Sequence, residues 1–231
     1  MTNPDIRRAE ASSTSSPNTD IWENAYLRFE TPEQEIRKFL SRFRRLGVDD
    51  WPRNARIIDL FCGRGSGLYA LDRMGFKNLE GVDLSPTLLA QYKGPGKLLL
   101  CDCRNLSFED GSRDIAIVQG GLHHLSQLPE DLERTVAEAH RVLHDDGIFL
   151  VVEPWLTPFL RVVHAAARNP VTRRMWSKLD AFQIMTEHEH RTYFQWLNQP
   201  ELVLRHLEKY FLPEQCRFEW GKLMFRGVKR G

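Results

Sequence analysis

The chain has 231 residues, 42% of them hydrophobic and 27% charged, with a net charge of +1. That length supports one α/β domain with a full core and a modest insertion. The balance of charge lacks the basic excess of a nucleic-acid footprint, no run of 18 uncharged apolar residues offers a membrane span, and four cysteines (Cys62, Cys101, Cys103, Cys216) are few for a disulfide framework and fit reduced thiols in a cytoplasm.

Met1 to Asp20 is rich in Ser, Thr, Pro, Asn and Asp and lacks the apolar stretch of a signal peptide. It is expected to be a disordered arm, because it has too little apolar surface to offset the entropy of ordering. Order is expected from about Ile21. Thr31-Pro32-Glu33-Gln34 reads as a helix start, with Thr31 as cap, Pro32 in the first turn and Gln34 at the reciprocal capping-box position. Ile36, Phe39, Leu40, Phe43 and Leu46 then keep helical spacing, and Gly47 can end the helix.

From Arg56 short apolar runs alternate with helical segments. Strands are predicted over 57–61, 79–83, 97–102, 114–119 and 148–153, and helices over 66–74, 86–92 and 129–143. Asp145-Asp146-Gly147 is expected as a turn. Such alternation indicates a parallel sheet covered on both faces. A helix over 201–210 and strands over 215–220 and 223–229, turning at Gly221-Lys222, add an antiparallel hairpin. The stretch from Pro154 to Pro200 is too long for a connection and too periodic for a loop. It is expected as a helical insertion of two lid helices, with Leu160, Val163 and Ala167 on one face and Met175, Leu179 and Phe182 on another.

The run Ile57 to Gly67 (Ile-Ile-Asp-Leu-Phe-Cys-Gly-Arg-Gly-Ser-Gly) ends a strand and opens a helix. Its three glycines remove Cβ atoms where a ligand can approach the backbone, at the carboxyl end of a strand, where open α/β sheets bind ligands. Leu68 stands where a dinucleotide fingerprint needs its third glycine, and the Gly-Lys-Ser/Thr of a P-loop is missing. Asp83 closes the second strand, where a carboxylate can accept both hydroxyls of a ribose; its alternative use is as a helix cap, a need Ser85 already meets. Asp102 closes the third strand and can accept from an adenine amino group or pair with Arg104.

Together, Asp59 to Gly67, Gly81-Val82-Asp83-Leu84-Ser85, Asp102 to Phe108 and Gln119-Gly120-Gly121-Leu122-His123-His124-Leu125 resemble successive motifs of class I S-adenosylmethionine-dependent methyltransferases, the small-molecule "type 11" branch in particular. The resemblance covers about Ile21 to Glu153 and, more weakly, the closing hairpin. It implies an α/β, doubly wound Rossmann-like sheet of seven strands in the order 3-2-1-4-5-7-6, with strand 7 antiparallel. The methyltransferase domain would run over 21–231 with 154–200 as a lid, and the cofactor would be S-adenosyl-L-methionine. By position, Asp59 would order the glycine turn and the methionine amino group. Gly63, Gly65 and Gly67 would run beneath the methionine portion. Asp83 would hold the ribose, Leu84 would pack on adenine, Asp102 and the Cys103 backbone would meet adenine's polar edge, and the Gln119 carbonyl would face the ammonium. Cys62 departs from the small residue common there, though a thiol is compatible with cofactor binding.

Methyl transfer asks the protein mainly for alignment and exclusion of water, because the sulfonium is already activated. An oxygen nucleophile can also need a base, and His124 and His123, just past the fourth strand, are the candidate catalytic residues, His124 first. Both are equally readable as substrate-shaping groups. The Pro-Pro-aromatic motif of amino-group DNA methyltransferases is missing after the fourth strand, where Gln119-Gly120-Gly121-Leu122 stands. No metal site is read: Cys101 and Cys103 lack a matching second pair, and Glu187-His188-Glu189-His190 reads as a solvated charged turn.

The acceptor is expected to be an apolar or aromatic small molecule, with no stable nucleic-acid binding. The alternatives are a methyltransferase acting on RNA or protein, docked by Arg161, Arg168, Arg173, Arg174 and Lys178, or a non-catalytic S-adenosylmethionine-binding module.

Overall fold

The structure, a computed structural model, describes residues 25–231. The expected arm over 1–20 and the expected onset of order at Ile21 lie outside the described residues. Residues 25–29 are helical and lead into α1 (Pro32–Arg45). The capping box forms as the sequence indicates: the Gln34 amide donates to Thr31 Oγ1 and the Thr31 amide to Gln34 Oε1, each at 3.3 Å. Such a cap stabilises a helix start by about 1 kcal/mol.

The sheet comprises β1 (Arg56–Leu60), β2 (Asn78–Asp83), β3 (Lys97–Leu100), β4 (Arg113–Gln119), β5 (Leu143–Pro154), β6 (Phe211–Glu219) and β7 (Lys222–Lys229). Their order is β3-β2-β1-β4-β5-β7-β6, parallel except for β7, which runs antiparallel to both β5 and β6. This is the seven-stranded, doubly wound Rossmann-like fold that the motifs imply. Side chains alternate between two cores. Ile58, Leu60, Ala116, Val118, Phe149 and Val151 face α4 (Glu130–Val142) and α9 (Pro200–Tyr210). Ile57, Ile115, Ile117, Leu150 and Val152 face α1 and α2 (Ser66–Arg73), and a short α3 (Pro86–Leu89) follows β2. Burial on both faces explains why these strands read as continuous apolar runs.

Three local expectations are corrected. Asp145-Asp146-Gly147 is a bulge inside β5 rather than a turn before it: Leu143 already pairs with Arg113, and regular pairing resumes at Ile148 with Ile115. Asp146 absorbs the extra length at φ 65°. The closing hairpin turns at Trp220-Gly221, one residue earlier than expected; both take positive φ, as a two-residue hairpin turn requires, and Lys222 becomes the first residue of β7. β6 starts at Phe211 rather than at residue 215, with an irregularity between Pro213 and Gln215.

The insertion after β5 is helical, but as four helices rather than two: α5 (Pro158–Arg168), α6 (Pro170–Met175), α7 (Ser177–His188) and α8 (His190–Leu197). Leu160, Val163 and Ala167 share an inward face as expected, with Leu160 and Ala167 buried. Met175 does not join Leu179 and Phe182. The helix breaks at Trp176, which leaves Met175 78% and Trp176 69% exposed. Trp196 anchors the insertion to the sheet, fully buried and donating Nε1–H to the Pro154 carbonyl at 2.8 Å. Among the described residues no helix is long and apolar enough to cross a membrane.

Candidate active site

The glycine turn between β1 and α2 is built by steric necessity. Gly63 (φ 53°) and Gly65 (φ 77°) occupy the left-handed region. A Cβ on Gly65 would fall 2.3 Å from the Tyr92 ring, and one on Gly67 would fall 2.3 Å from Asp59 Oδ2. A Cβ on Gly63 would meet only Leu88, at 3.8 Å, so open space lies over the turn. Asp83 ties β2 to this turn: Oδ2 accepts from the Gly63 amide and Oδ1 from the Ser85 amide, each at 2.8 Å. Cys62 is buried against Gly81, where an added Cβ would lie 2.8 Å from its Sγ. Burial raises the Cys62 thiol pKa, which keeps the side chain uncharged.

A residue the sequence reading missed clamps the turn from outside. Glu35 of α1 is buried and accepts from Arg64 at 2.9 Å and from Ser66 Oγ at 2.6 Å. Arg64 in turn stacks over Tyr26 at 4.7 Å. The available signal was a carboxylate next to Ile36 on the apolar stripe of α1.

The turn opens into a cavity of about 1160 Å³ at the carboxyl edge of the sheet. Asp59, Cys62, Gly63, Asp83, Leu84, Asp102, Cys103, Gln119, His123 and His124 all line it. Gly65 and Gly67 do not, and act from beneath through backbone shape. Asp59 is almost fully buried, and burial together with Asp83 and Glu35 pushes its carboxyl up to about 8. Gln119 ends β4 with both side-chain amide atoms buried and without a hydrogen-bond partner among the described residues. Asp102 is engaged by Arg104, whose Nε and Nη2 reach its two oxygens at 3.0 and 2.7 Å, and Arg104 also reaches Asp131 at 2.8 Å. That hydrogen bonding holds the Asp102 carboxyl below its usual range. The pairing with Arg104 is therefore real, and Asp102 still borders the cavity.

Past β4, residues Leu122–His124 form one 3₁₀ turn that presents both histidines. Glu153, fully buried at the end of β5, accepts from the Gly121 and Leu122 amides at 2.7 and 2.8 Å and bonds His123 Nδ1 at 2.7 Å. Burial alone would raise the Glu153 carboxyl; its pairing with His123 and the hydrogen bonds from the two amides bring it below its usual value instead. His124 stacks on His123 with ring centroids 4.1 Å apart. Its side chain is 39% exposed, toward the cavity it lines. The surrounding walls and the neighbouring His123 push its pKa down to about 4, against the pull of Glu189.

Glu189 corrects the expectation of a solvated charged turn at 187–190. Glu187, His188 and His190 are exposed, but Glu189, at the break between α7 and α8, is turned toward the histidine pair. The other wall is apolar, with Phe159, Leu160, Val163, Leu179, Phe182 and Met185 of the insertion. Lys222 and Arg42 border the cavity on the α1 side and have no acceptor for their side-chain donors among the described residues, unlike Arg64, Arg104 and Lys38, which are ion-paired. Burial and then Arg42 push the Lys222 pKa down to about 7.

Residues 58–151 match the Methyltransferase domain family. Among curated proteins, human methyltransferase-like protein 27 is 34% identical over 102 residues, 39% of this chain and 42% of that protein. The ubiquinone/menaquinone biosynthesis C-methyltransferase UbiE of Citrifermentans bemidjiense is 28% identical over 145 residues, 53% of this chain and 60% of that protein. The chain thus spans about half the length of these curated relatives. Among solved structures, the PH0226 protein of Pyrococcus horikoshii superposes with a TM-score of 0.65 at 19% identity, covering 89% of this chain and 98% of that one, a likeness of fold. Residues 58–151, the stretch from β1 into β5, thus resemble a methyltransferase domain, in agreement with the motifs they carry.

Proposed function

We propose that the chain is an S-adenosylmethionine-dependent methyltransferase whose acceptor is a small molecule with an apolar or aromatic body. The observation that carries this reading is a single cavity that joins a nucleotide-type cradle to an apolar chamber. It runs from Leu84 and Asp102 past Asp83, Gly63 and Asp59 to Gln119 and the two histidines, and on beneath Leu160, Val163 and Phe182. A volume of about 1160 Å³ suits two ligands side by side, since one small-molecule pocket takes roughly 300–1,000 Å³.

The residues fit the cofactor on four counts. The turn at Gly63 is open where a side chain would block it. Asp59 is a buried carboxyl that an ammonium would ionise, and the buried Gln119 amide lacks partners among the described residues. Asp83, already fixed through Gly63 and Ser85, keeps a lone pair on each oxygen for ribose hydroxyls. Leu84 offers an exposed apolar face for adenine, and Asp102 and Cys103 border its polar edge. When bound, S-adenosylmethionine supplies a methyl group on a sulfonium, so the chemistry needs no covalent help from the protein. The chain's own work is positioning and the exclusion of water. Helices α5 and α7 wall the chamber, and His123, oriented by Glu153, presents His124 beside the place of the acceptor. An apolar acceptor agrees with that wall and with the quinone chemistry named for the UbiE relative.

The test is calorimetric titration of S-adenosylhomocysteine into wild type and Asp83→Ala. Each hydrogen bond to an ionised acceptor is worth about 1.5–3 kcal/mol, so affinity should fall about tenfold or more with the fold retained. Wild type that binds no cofactor, or a variant of unchanged affinity, removes the reading of the cradle. A thermal shift with RNA that collapses on adding salt would move the acceptor to the macromolecular class.

A further inference from the structure

Three groups from distant parts of the chain converge on one point of the cavity wall. His123 Nε2 lies 3.9 Å from Glu189 Oε2, and His124 Nδ1 lies 3.4 Å from Glu189 Oε1. One ligand atom from each of the three residues falls within 4.8 Å of the others. These separations are longer than ordinary hydrogen bonds, which close at about 2.7–3.2 Å, and stand at ion-pair range. Bonds of about 2.0–2.2 Å set tetrahedral ligand atoms about 3.4 Å apart; the His124 separation matches that spacing, and the His123 one, to the other carboxylate oxygen, lies a small side-chain shift from it.

The support around these groups is also that of a metal ligand set. His123 gives its other ring nitrogen to the fully buried carboxylate of Glu153 at 2.7 Å. That contact fixes the ring with Nε2 toward Glu189, as outer carboxylates fix metal-bound histidines. His124 stands beside it, with Nδ1 turned toward Glu189. Glu189 comes from the break between α7 and α8, and Tyr193, one turn on, packs edge-on against His123 with centroids 5.9 Å apart. All three groups border the cavity, so any remaining coordination positions face the place of the acceptor.

We propose that His123, His124 and Glu189 form a two-histidine, one-carboxylate site for a divalent first-row transition metal such as Zn²⁺, with an open position for an oxygen or nitrogen donor of the acceptor. Imidazole and carboxylate together suit zinc or iron(II) rather than magnesium or calcium. The identity of that donor rests on the methyltransferase reading; the metal site itself does not. A bound metal would make His124 a ligand and would itself polarise the acceptor's donor atom.

The experiment uses the full chain stripped by chelator and dialysed. Zn²⁺ is titrated by calorimetry and Co²⁺ by visible absorption, with and without S-adenosylhomocysteine. The expected result is one ion per chain, with Co²⁺ bands of low-coordinate nitrogen and oxygen ligation. Glu189→Gln and His124→Ala should each weaken Zn²⁺ by about tenfold or more, while melting curves report their folding. Lack of saturable binding by either ion, unchanged affinity in both folded variants, or a thiolate-to-cobalt band placing the ion on cysteines would overturn the site. Failure of S-adenosylhomocysteine to bind would instead remove the methyltransferase reading and leave the metal titration to stand by itself.

Discussion

Asp59 sits against the single glycine of α2: a Cβ on Gly67 would stand 2.3 Å from Asp59 Oδ2. The helix approaches the strand end closely enough to seal the carboxyl from solvent, and burial, with Asp83 and Glu35 nearby, raises its pKa to about 8. A group poised there is neutral in the free protein and can ionise against a cation.

The first prediction follows from that poise. The folded carboxyl binds its proton more tightly than the unfolded one, whose ordinary value is 3.8. Between about pH 4 and pH 8 the native state therefore holds more protons, and this site's contribution to stability falls as pH rises. Asp59→Asn removes that penalty. The melting temperature of the variant should match wild type near pH 4 and exceed it near pH 8, at the expense of cofactor affinity. A difference that stays constant with pH would contradict the buried, protonated carboxyl.

A second consequence is proton release. If an ammonium ionises Asp59, binding S-adenosylhomocysteine at pH 7 should expel a proton, and affinity should rise with pH up to about 8. Calorimetry in two buffers of different ionisation enthalpy measures that proton directly. Asp59→Asn should abolish the buffer dependence; a wild type without it would place the ammonium elsewhere.

Gly65→Val should abolish cofactor binding. The left-handed backbone costs a side chain about 1–2 kcal/mol, and the Tyr92 ring stands where the new Cβ would go. Gly65→Ala combined with Tyr92→Leu should recover part of the melting temperature but not all of it, since the backbone term remains. Full recovery would show that only the ring matters.

His124→Ala should lower turnover far more than it lowers affinity for S-adenosylhomocysteine, because the ring borders the part of the cavity proposed for the acceptor. Groups that assist proton movement typically contribute about 10²–10⁴-fold. With an acceptor found by screening, a loss below about fivefold would leave His124 as lining.

Hydrogen exchange across residues 154–200 tests whether the insertion acts as a lid. Trp196 and Ala167 are buried, so α8 and the end of α5 should be protected in the free protein. α6 and the start of α7, with Met175 and Trp176 exposed, should exchange quickly and gain protection with an apolar acceptor. Uniform protection without ligand would mean that the insertion is fixed core and not a lid.

Much of this molecule was legible in its sequence because the relevant physics is short-ranged. Thr31 and Gln34 cap a helix three residues apart, the glycines after β1 announce a turn that side chains cannot enter, and Asp83 ends a strand whose apolar run already declares it buried. Boundaries failed where local signals allow two answers: Asp145-Asp146-Gly147 has the composition of a turn, yet pairing of Leu143 with Arg113 absorbs it as a bulge. The helical spacing of Met175, Leu179 and Phe182 was real as a pattern, but a break at Trp176 parted them. What only the tertiary structure decided is which polar groups meet. Glu35 reaches Arg64, Glu153 reaches His123, and Glu189 turns toward both histidines because α1, β5 and the α7–α8 break pack around one cavity. Nothing in the local pattern of any one segment specifies such a meeting; it follows from the close packing of elements that lie far apart along the chain.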